Sequence, residues 1–108
     1  MIVVTTNALP GHRITHSLGM VRGITVRSRN ALADVLGGLQ SVFGGRVEAY
    51  VKLAEAARAE AYEHLVEQAT LAGANAILAM RYDANEISDG ITEVLAYGTA
   101  VVVEPERT

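Results

Sequence analysis

Acidic and imidazole side chains recur at helical spacing in the middle of the chain. Glu60, His64 and Glu67 are four and three residues apart, so on an α-helix they would share one face. Imidazole nitrogen and carboxylate oxygen are ligands for Zn²⁺ and Ni²⁺, so this spacing permits a metal site on the polar side of a helix. The alternative, which we favour, is a solvated helix face that carries a Glu–His pair.

The other two histidines have the H-x-x-x-H spacing, which brings two imidazoles to one ion only on a helix. His12 and His16 follow Gly11 and enclose the strand formers Ile14 and Thr15. Residues four apart on a strand are separated by about 13 Å, too far to share a metal ion. We therefore interpret them as surface histidines. The chain has no cysteine, which excludes a thiolate-bound metal and leaves a metal ion possible only through other ligands.

A glycine-rich turn, Gly44-Gly45-Arg46, stands between two helical patterns. It lacks the Walker lysine and follows a helix, so we assign it a structural role first, as helix end and turn. Arg46 is a cation in a first helical turn, where the helix dipole favours anions. We expect it to have a partner: a carboxylate of its own or a neighbouring chain, or an anionic ligand. Gly44, Gly45, Arg46 and Tyr50 are therefore candidate ligand-binding or interface residues.

No catalytic motif accompanies these residues. The chain has neither G-x-S-x-G nor H-E-x-x-H, and its polar segment 83–90 fails as a calcium loop because Ile87 takes the fifth position. Our first hypothesis is a binding or structural protein that holds a metal ion or small anion at subunit interfaces. The alternative is a small enzyme whose site is shared between subunits and uses Arg46, Tyr50 or Glu60.

The elements that must position these residues follow from hydrophobic periodicity. Strands are expected at 1–5, 14–28, 74–83 and 91–104, and helices at 28–44 and 46–72. Gly19 and Gly23 suggest a bulge or bend in the second strand, and 84–90 is expected to be a polar connection. The buried stripe of the second helix is expected to contain Val47, Tyr50, Val51, Ala54, Arg58, Ala61, Leu65 and Ala69. The order of elements predicts an α+β domain with two helices over one face of a sheet.

Composition sets the broad class. The 108 residues suit one domain, and 50% of them are hydrophobic although only 5% are aromatic. This small, flat apolar content suggests surface buried between subunits. The net charge of −3 argues against nucleic acid as the main partner. The apolar runs are too short for a signal peptide or a membrane span, which favours a soluble cytoplasmic protein.

Several short motifs occur together in one order along the whole chain. They are VTTN, LPG, FGGR-x-x-x-Y, AR-x-EA at 57–61, GANAIL at 73–78 and YGTAVVV at 97–103. With these motifs the chain resembles the YbjQ-like family, which bears the label "putative heavy-metal-binding". The resemblance implies a single YbjQ-like domain over 1–108, with a short polar tail at 104–108. It also implies a dodecin-like α+β subunit that assembles into a homopentameric ring, but no defined activity.

Overall fold

The computed structural model describes residues 1–28 and 45–107. Its elements are β1 (Ile2–Val3), β2 (His12–Ser28), α1 (Gly45–Leu71), β3 (Ala76–Ser88) and β4 (Ile91–Pro105). The strands form one mixed sheet in the order β1-β3-β4-β2, in which only β1 and β3 are parallel. The sheet and α1 confirm the α+β class. The first expected helix, 28–44, lies outside the described residues except for Ser28, which ends β2.

The main core lies between α1 and one face of the sheet. Alternate residues of β4 point toward the helix, because successive side chains of a strand face opposite sides. The buried members of this core are Ala57, Ala61, Leu65, Ala69, Ile77, Met80, Val94, Ala96 and Ala100. A smaller cluster lies on the opposite face, where Val4 and Leu9 pack against Ala76, Leu78, Val101 and Val103. The segment that follows β1 therefore covers only one end of that face.

The buried face of α1 differs from the expected stripe in its first half. Ala61, Leu65 and Ala69 are buried as expected, but Val47, Tyr50, Val51, Ala54 and Arg58 are exposed. The buried line instead continues through Ala57 and Ala49. Alanine is less hydrophobic than valine, so the hydrophobic pattern indicated Val47 and Val51 as the buried residues. The buried alanines lie four or eight positions apart, so they share one face of the helix. Their small side chains allow the helix to approach the sheet.

The β3–β4 connection is much shorter than the sequence pattern indicates. The expected polar connection at 84–90 is wrong, because β3 continues to Ser88, which pairs with Ile91. Only Asp89 and Gly90 form the turn, and Gly90 has the positive φ (74°) that tight hairpin turns require. The Gly90 amide donates to Glu86 Oε1 at 3.0 Å. Polar side chains on this exposed hairpin concealed the strand pattern.

The N-terminal strand is shorter than the strand expected over 1–5, and it lies at an edge of the sheet. β1 contains only Ile2 and Val3, and Ile2 is exposed. The backbone contacts nevertheless continue beyond it, since the Val4 amide donates to the Ile77 carbonyl and the Met80 amide donates to the Val4 carbonyl, each at 3.0 Å. The N-terminal segment is thereby fixed along the outer edge of β3.

Helix α1 ends in a glycine motif that leads directly into β3. Gly73 has φ 91°, its amide donates to the Thr70 carbonyl, and the Ala74 amide donates to the Ala69 carbonyl, both at 3.0 Å. These two bonds form a Schellman motif. The next residue, Asn75, bonds both backbone groups of Val103: its Nδ2 donates to the carbonyl at 2.9 Å and its Oδ1 accepts from the amide at 2.8 Å. The side chain of Asn75 thus extends the β3–β4 ladder.

Gly23 marks the closest approach between α1 and the sheet. It pairs with Ala96 in an uninterrupted part of the ladder. A Cβ atom at Gly23 would overlap the Ala61 carbonyl oxygen and the Leu65 backbone nitrogen, and would lie 2.9 Å from the His64 carbonyl carbon. The expected bulge is therefore absent at Gly23, where a helix rather than a bend excludes a side chain. The register does shift at Gly19, as expected.

Candidate functional site

A groove of about 430 Å³ opens on the helix side of the sheet, between the first half of α1 and the β3–β4 hairpin. Its apolar lining comes from Leu53, Ala54 and Ala57 of the helix and from Ala84 and Val94 of the sheet. The volume and the mainly apolar wall are typical of sites that bind small molecules.

Strand register explains why polar groups meet at one end of this groove. Thr92 of β4 pairs with Arg27 of β2 on one side and with Glu86 of β3 on the other. Residues that pair across strands share a face, so all three side chains lie on the side of the sheet that carries α1. Arg27 and Glu86 therefore line the groove from opposite strands.

Arg27 is held in place by bonds to two elements. Its Nη2 donates to Glu60 Oε2 of α1 at 2.7 Å, and its Nη1 donates to Thr25 Oγ1 at 2.8 Å. Thr25 is itself buried. The hydrogen bonds from Arg27 and Thr25 lower the pKa of the Glu60 carboxyl below its ordinary value, because they stabilise the charged form. The Arg27–Glu60 pair ties the end of β2 to the helix beside the groove.

Arg58 provides a second cation on the groove wall, and among the described side chains it forms no ion pair. Its guanidinium carbon lies 5.8 Å from the centroid of the Tyr82 ring, within the range of a cation–π contact. Arg58 takes part in neither of the ion pairs Arg13–Glu104 and Arg27–Glu60. Burial is the main cause that raises the pKa of the Tyr82 hydroxyl, and the neighbouring Tyr62 contributes.

The three residues of the expected metal site have separate contacts. Glu60 is bonded to Arg27, and the His64 ring bonds the Ile24 carbonyl through Nδ1 at 3.0 Å. A carbonyl oxygen only accepts, so Nδ1 donates in this bond, and in a neutral ring Nε2 would hold the lone pair. Glu67 borders a shallow depression beside His64. In the part of the chain that the structure describes, no three His, Asp or Glu side chains form a group able to hold a metal ion.

The structure places the remaining candidate residues as follows. Gly44 lies outside the described residues, Gly45 is the first residue of α1, and the side chain of Arg46 is likewise not described. Tyr50 lines the groove. A bulge around Thr15 separates His12 from His16, since their partners on β4 are Pro105 and Val102, three residues apart. The two histidines therefore face opposite sides of the sheet.

Arg27, Arg58 and Glu86 line the groove and were not among the predicted site residues. No local spacing connects them, because they come from β2, α1 and β3. One signal was available for Arg58, which interrupts the apolar stripe expected for the helix. A cation in such a stripe must pair or reach solvent, and this one extends over Tyr82.

The Glu60–Arg27 pair predicts a pH-dependent contribution to stability. Because the pKa of Glu60 is lowered on folding, the pair stabilises the protein above the ordinary value of 4.5, and this contribution is lost as pH falls through the folded-state pKa. Glu60→Gln should lower the urea midpoint at pH 7 and have less effect at pH 4 and below. Glu63→Gln removes an exposed charge from the same helix and is the control. A Glu60→Gln deficit that is constant between pH 7 and pH 3 would contradict the ion pair.

Together, these observations describe a small α+β domain with a groove of small-molecule size. The "Putative heavy-metal-binding" YbjQ family model matches residues 1–104. A UPF0145 protein of Chromobacterium violaceum is 52% identical over 104 residues, covering 96% of this chain and 89% of the relative. One from Paraburkholderia phymatum is 55% identical over 100 residues, covering 93% and 90%. The chain belongs to the YbjQ family.

A solved structure supports the fold independently. The crystal structure of a DUF74-family protein of unknown function from Pediococcus pentosaceus aligns with a TM-score of 0.56. The alignment covers 96% of this chain and 98% of the other, at 17% identity. At this identity the likeness concerns the fold alone. Within the described residues, no helix has the length and apolar character needed to cross a bilayer.

Proposed function

We propose that the protein is a homo-oligomeric binding protein that holds a small ligand in the groove between α1 and the β3–β4 hairpin. The groove itself is the observation that supports this function. It combines about 430 Å³ of space and an apolar wall with polar groups from four different elements. Small-molecule sites have this composition, in which apolar contacts provide affinity and a few polar groups provide orientation.

The carboxylates near the groove favour binding over catalysis. Glu60 Oε2 accepts from Arg27, and Glu86 Oε1 accepts from the backbone amide of Gly90. General acid–base catalysis needs a group that can exchange a proton near the working pH, whereas the bonds to Glu60 lower its pKa further. Both carboxylates therefore hold neighbouring groove residues in place through hydrogen bonds. An enzyme that shares its site between subunits is the alternative function.

Exposed apolar side chains support self-association. Met20, Ile24 and Val26 of β2 lie on the sheet face away from α1, and Met20 is 69% exposed. The strand is also an edge of the sheet, and long apolar edge strands are usually covered. A homopentamer is the assembly that the family resemblance implies. Native mass spectrometry of the untagged protein should show five subunits, and a monomer would contradict the assembly.

Filling the groove should abolish binding without altering the fold. Ala54 lines the groove and is exposed, so Ala54→Leu adds three carbon atoms to the site. Ala59→Leu makes the same change at an exposed position of α1 outside the groove. A thermal-shift screen with small carboxylates, phosphates and uncharged aromatics should find compounds that stabilise the parent and Ala59→Leu but not Ala54→Leu. Equal stabilisation of both variants, or none of the parent, would overturn the groove as a ligand site.

A metal ion is the second candidate ligand, and the orientation of His64 supports it. Metal-bound histidines usually donate their second ring N–H to a carbonyl or carboxylate, as Nδ1 of His64 does to Ile24. The candidate ligand set remains Glu60, His64 and Glu67, with Glu60 released from Arg27. Calorimetric titration with Zn²⁺ and Ni²⁺ should give binding that His64→Ala removes and His16→Ala retains. Equal binding by both variants would exclude His64 as a ligand.

A further inference from the structure

We infer that the ligand of the groove is an organic anion: a carboxylate or phosphate group on a flat apolar body, with the anionic group at Arg58. The inference rests on the proposed function, because it assigns a ligand class to the same groove. The groove joins an apolar floor to a guanidinium that lies 5.8 Å from the centroid of an aromatic ring, and each part selects one part of the ligand.

The size and lining of the groove exclude a simple inorganic anion as its full occupant. A water molecule takes up about 30 Å³ in the liquid, so a volume of about 430 Å³ exceeds the needs of a phosphate or sulfate ion several times. Most of the wall is apolar, and only an apolar body can displace water from it favourably. The aromatic side chain of Tyr50 adds a surface against which a flat ring can pack.

The charges on the groove wall favour an anion, and they also orient it. Arg27 donates to Glu60, so much of its charge is balanced by a neighbour. Glu86 places a negative charge at the hairpin end of the groove. Arg58 is the cation whose donors are uncommitted among the interactions within residues 1–28 and 45–107. Its planar guanidinium can bind a carboxylate or phosphate through two parallel hydrogen bonds.

Three probes of nearly equal shape separate the charge of the ligand from its apolar body. 2-Naphthoate is the anion, 2-naphthamide the neutral analogue, and 2-naphthylmethylamine the cation at pH 7. Isothermal titration of the full chain should give the highest affinity for 2-naphthoate. The preference over 2-naphthamide should be about tenfold, the effect of one charge-assisted interaction, and it should decrease when NaCl is raised.

Matched arginine variants assign the preference to one side chain. Arg58→Gln should remove the preference for 2-naphthoate and leave the affinity for 2-naphthamide unchanged. Arg22→Gln removes the same charge from β2, where Arg22 faces away from α1 opposite Tyr97, and should retain the preference. Because both arginines are exposed, neither substitution should impair folding, and circular dichroism checks this.

The outcomes distinguish this inference from the function on which it rests. If 2-naphthamide and 2-naphthoate bind equally in the groove, with affinity lost in Ala54→Leu, the groove is a ligand site and the anionic class is wrong. A preference for 2-naphthylmethylamine would show that Glu86 dominates and would also overturn the inference. A preference for 2-naphthoate that survives in Arg58→Gln would exclude Arg58. If no probe binds, both the ligand class and the groove function fail.

Discussion

Substitution of Gly23 by alanine is expected to lower the free energy of unfolding by about 3 kcal/mol or more, the upper range for overpacking a core. The added methyl group would overlap the carbonyl oxygen of Ala61 and the backbone nitrogen of Leu65. Both obstructing atoms belong to the backbone of α1. A side chain could rotate away from the new methyl group, but a helical backbone cannot.

Relief of this overlap requires α1 to move away from β2, which explains the large effect. Ala61 and Leu65 are fully buried between the helix and the sheet. A displaced helix would separate them from the strands and leave space too small for water, with loss of the dispersion contacts on both sides. For a domain of this size, about 3 kcal/mol corresponds to a decrease in Tm of more than about 10 °C.

Gly19→Ala is the matched control for this prediction. It adds the same methyl group to the same strand, where nothing lies within 4 Å of the new atom. Its φ of 89° makes alanine unfavourable there, at a cost of about 1 kcal/mol. Urea unfolding should therefore give a much lower free energy of unfolding for Gly23→Ala than for Gly19→Ala. Equal stability of the two variants would show that α1 does not approach β2 as closely as the structure indicates.

The two glycines also show how far the sequence can predict local structure. A glycine inside a strand pattern indicates a bulge or a close approach of another backbone, and the sequence alone does not distinguish the two. At Gly19 the bulge is observed, whereas at Gly23 the ladder is regular and the cause is Ala61, 38 residues further along the chain. The long-range packing of α1 decides the role of Gly23, and no spacing near Gly23 reports it.

The long elements were predicted well, because a long segment shows its hydrophobic period clearly. β2, α1 and β4 have enough residues for their period to be seen, and their observed ends lie within two residues of the expected ends. The hairpin end of β3 was missed because Asp83, Asn85 and Glu86 are exposed there. A strand held by cross-strand pairing alone does not need an apolar pattern.

The groove was largely beyond prediction because it is a product of tertiary structure. Tyr50 was a candidate for its position after a glycine-rich turn, and it does line the groove. Arg27 and Glu86 are 59 positions apart and meet only because both strands pair with Thr92 of β4. The charged residues are visible in the sequence, but the strand register that brings them together is not.

Asn75→Ala is expected to lower the free energy of unfolding by about 2 kcal/mol, because it leaves two backbone groups of β4 without partners. The side chain of Asn75 bonds both the amide and the carbonyl of Val103, and Val103 is buried. Both bonds are part-buried, so water would replace them only incompletely. The free energy of unfolding of Asn75→Asp should lie between those of the parent and Asn75→Ala. Aspartate keeps an acceptor for the Val103 amide but loses the donor to the Val103 carbonyl.

Amide hydrogen exchange gives this prediction a local readout. The Val103 amide should exchange faster in Asn75→Ala than in the parent. This increase in exchange rate should be larger than the increase that the lower global stability alone would cause. Asn85→Ala removes an exposed asparagine from β3, the strand that Asn75 precedes, and should leave Val103 protected. Unchanged exchange at Val103 in Asn75→Ala would show that the side chain does not continue the ladder.

The position of Asn75 also bears on what the family likeness means. It belongs to the GANAIL motif, in which Gly73 ends α1, Asn75 bonds β4 and Ile77 is in the core. These motif residues specify the helix-to-strand connection, so they determine the fold. Of the groove residues, Tyr50 and Arg58 lie within the motifs FGGR-x-x-x-Y and AR-x-EA, whereas Arg27 and Glu86 lie outside the motifs. The motifs therefore specify this connection and also include part of the groove wall, so the ligand must be identified by experiments on the groove residues themselves.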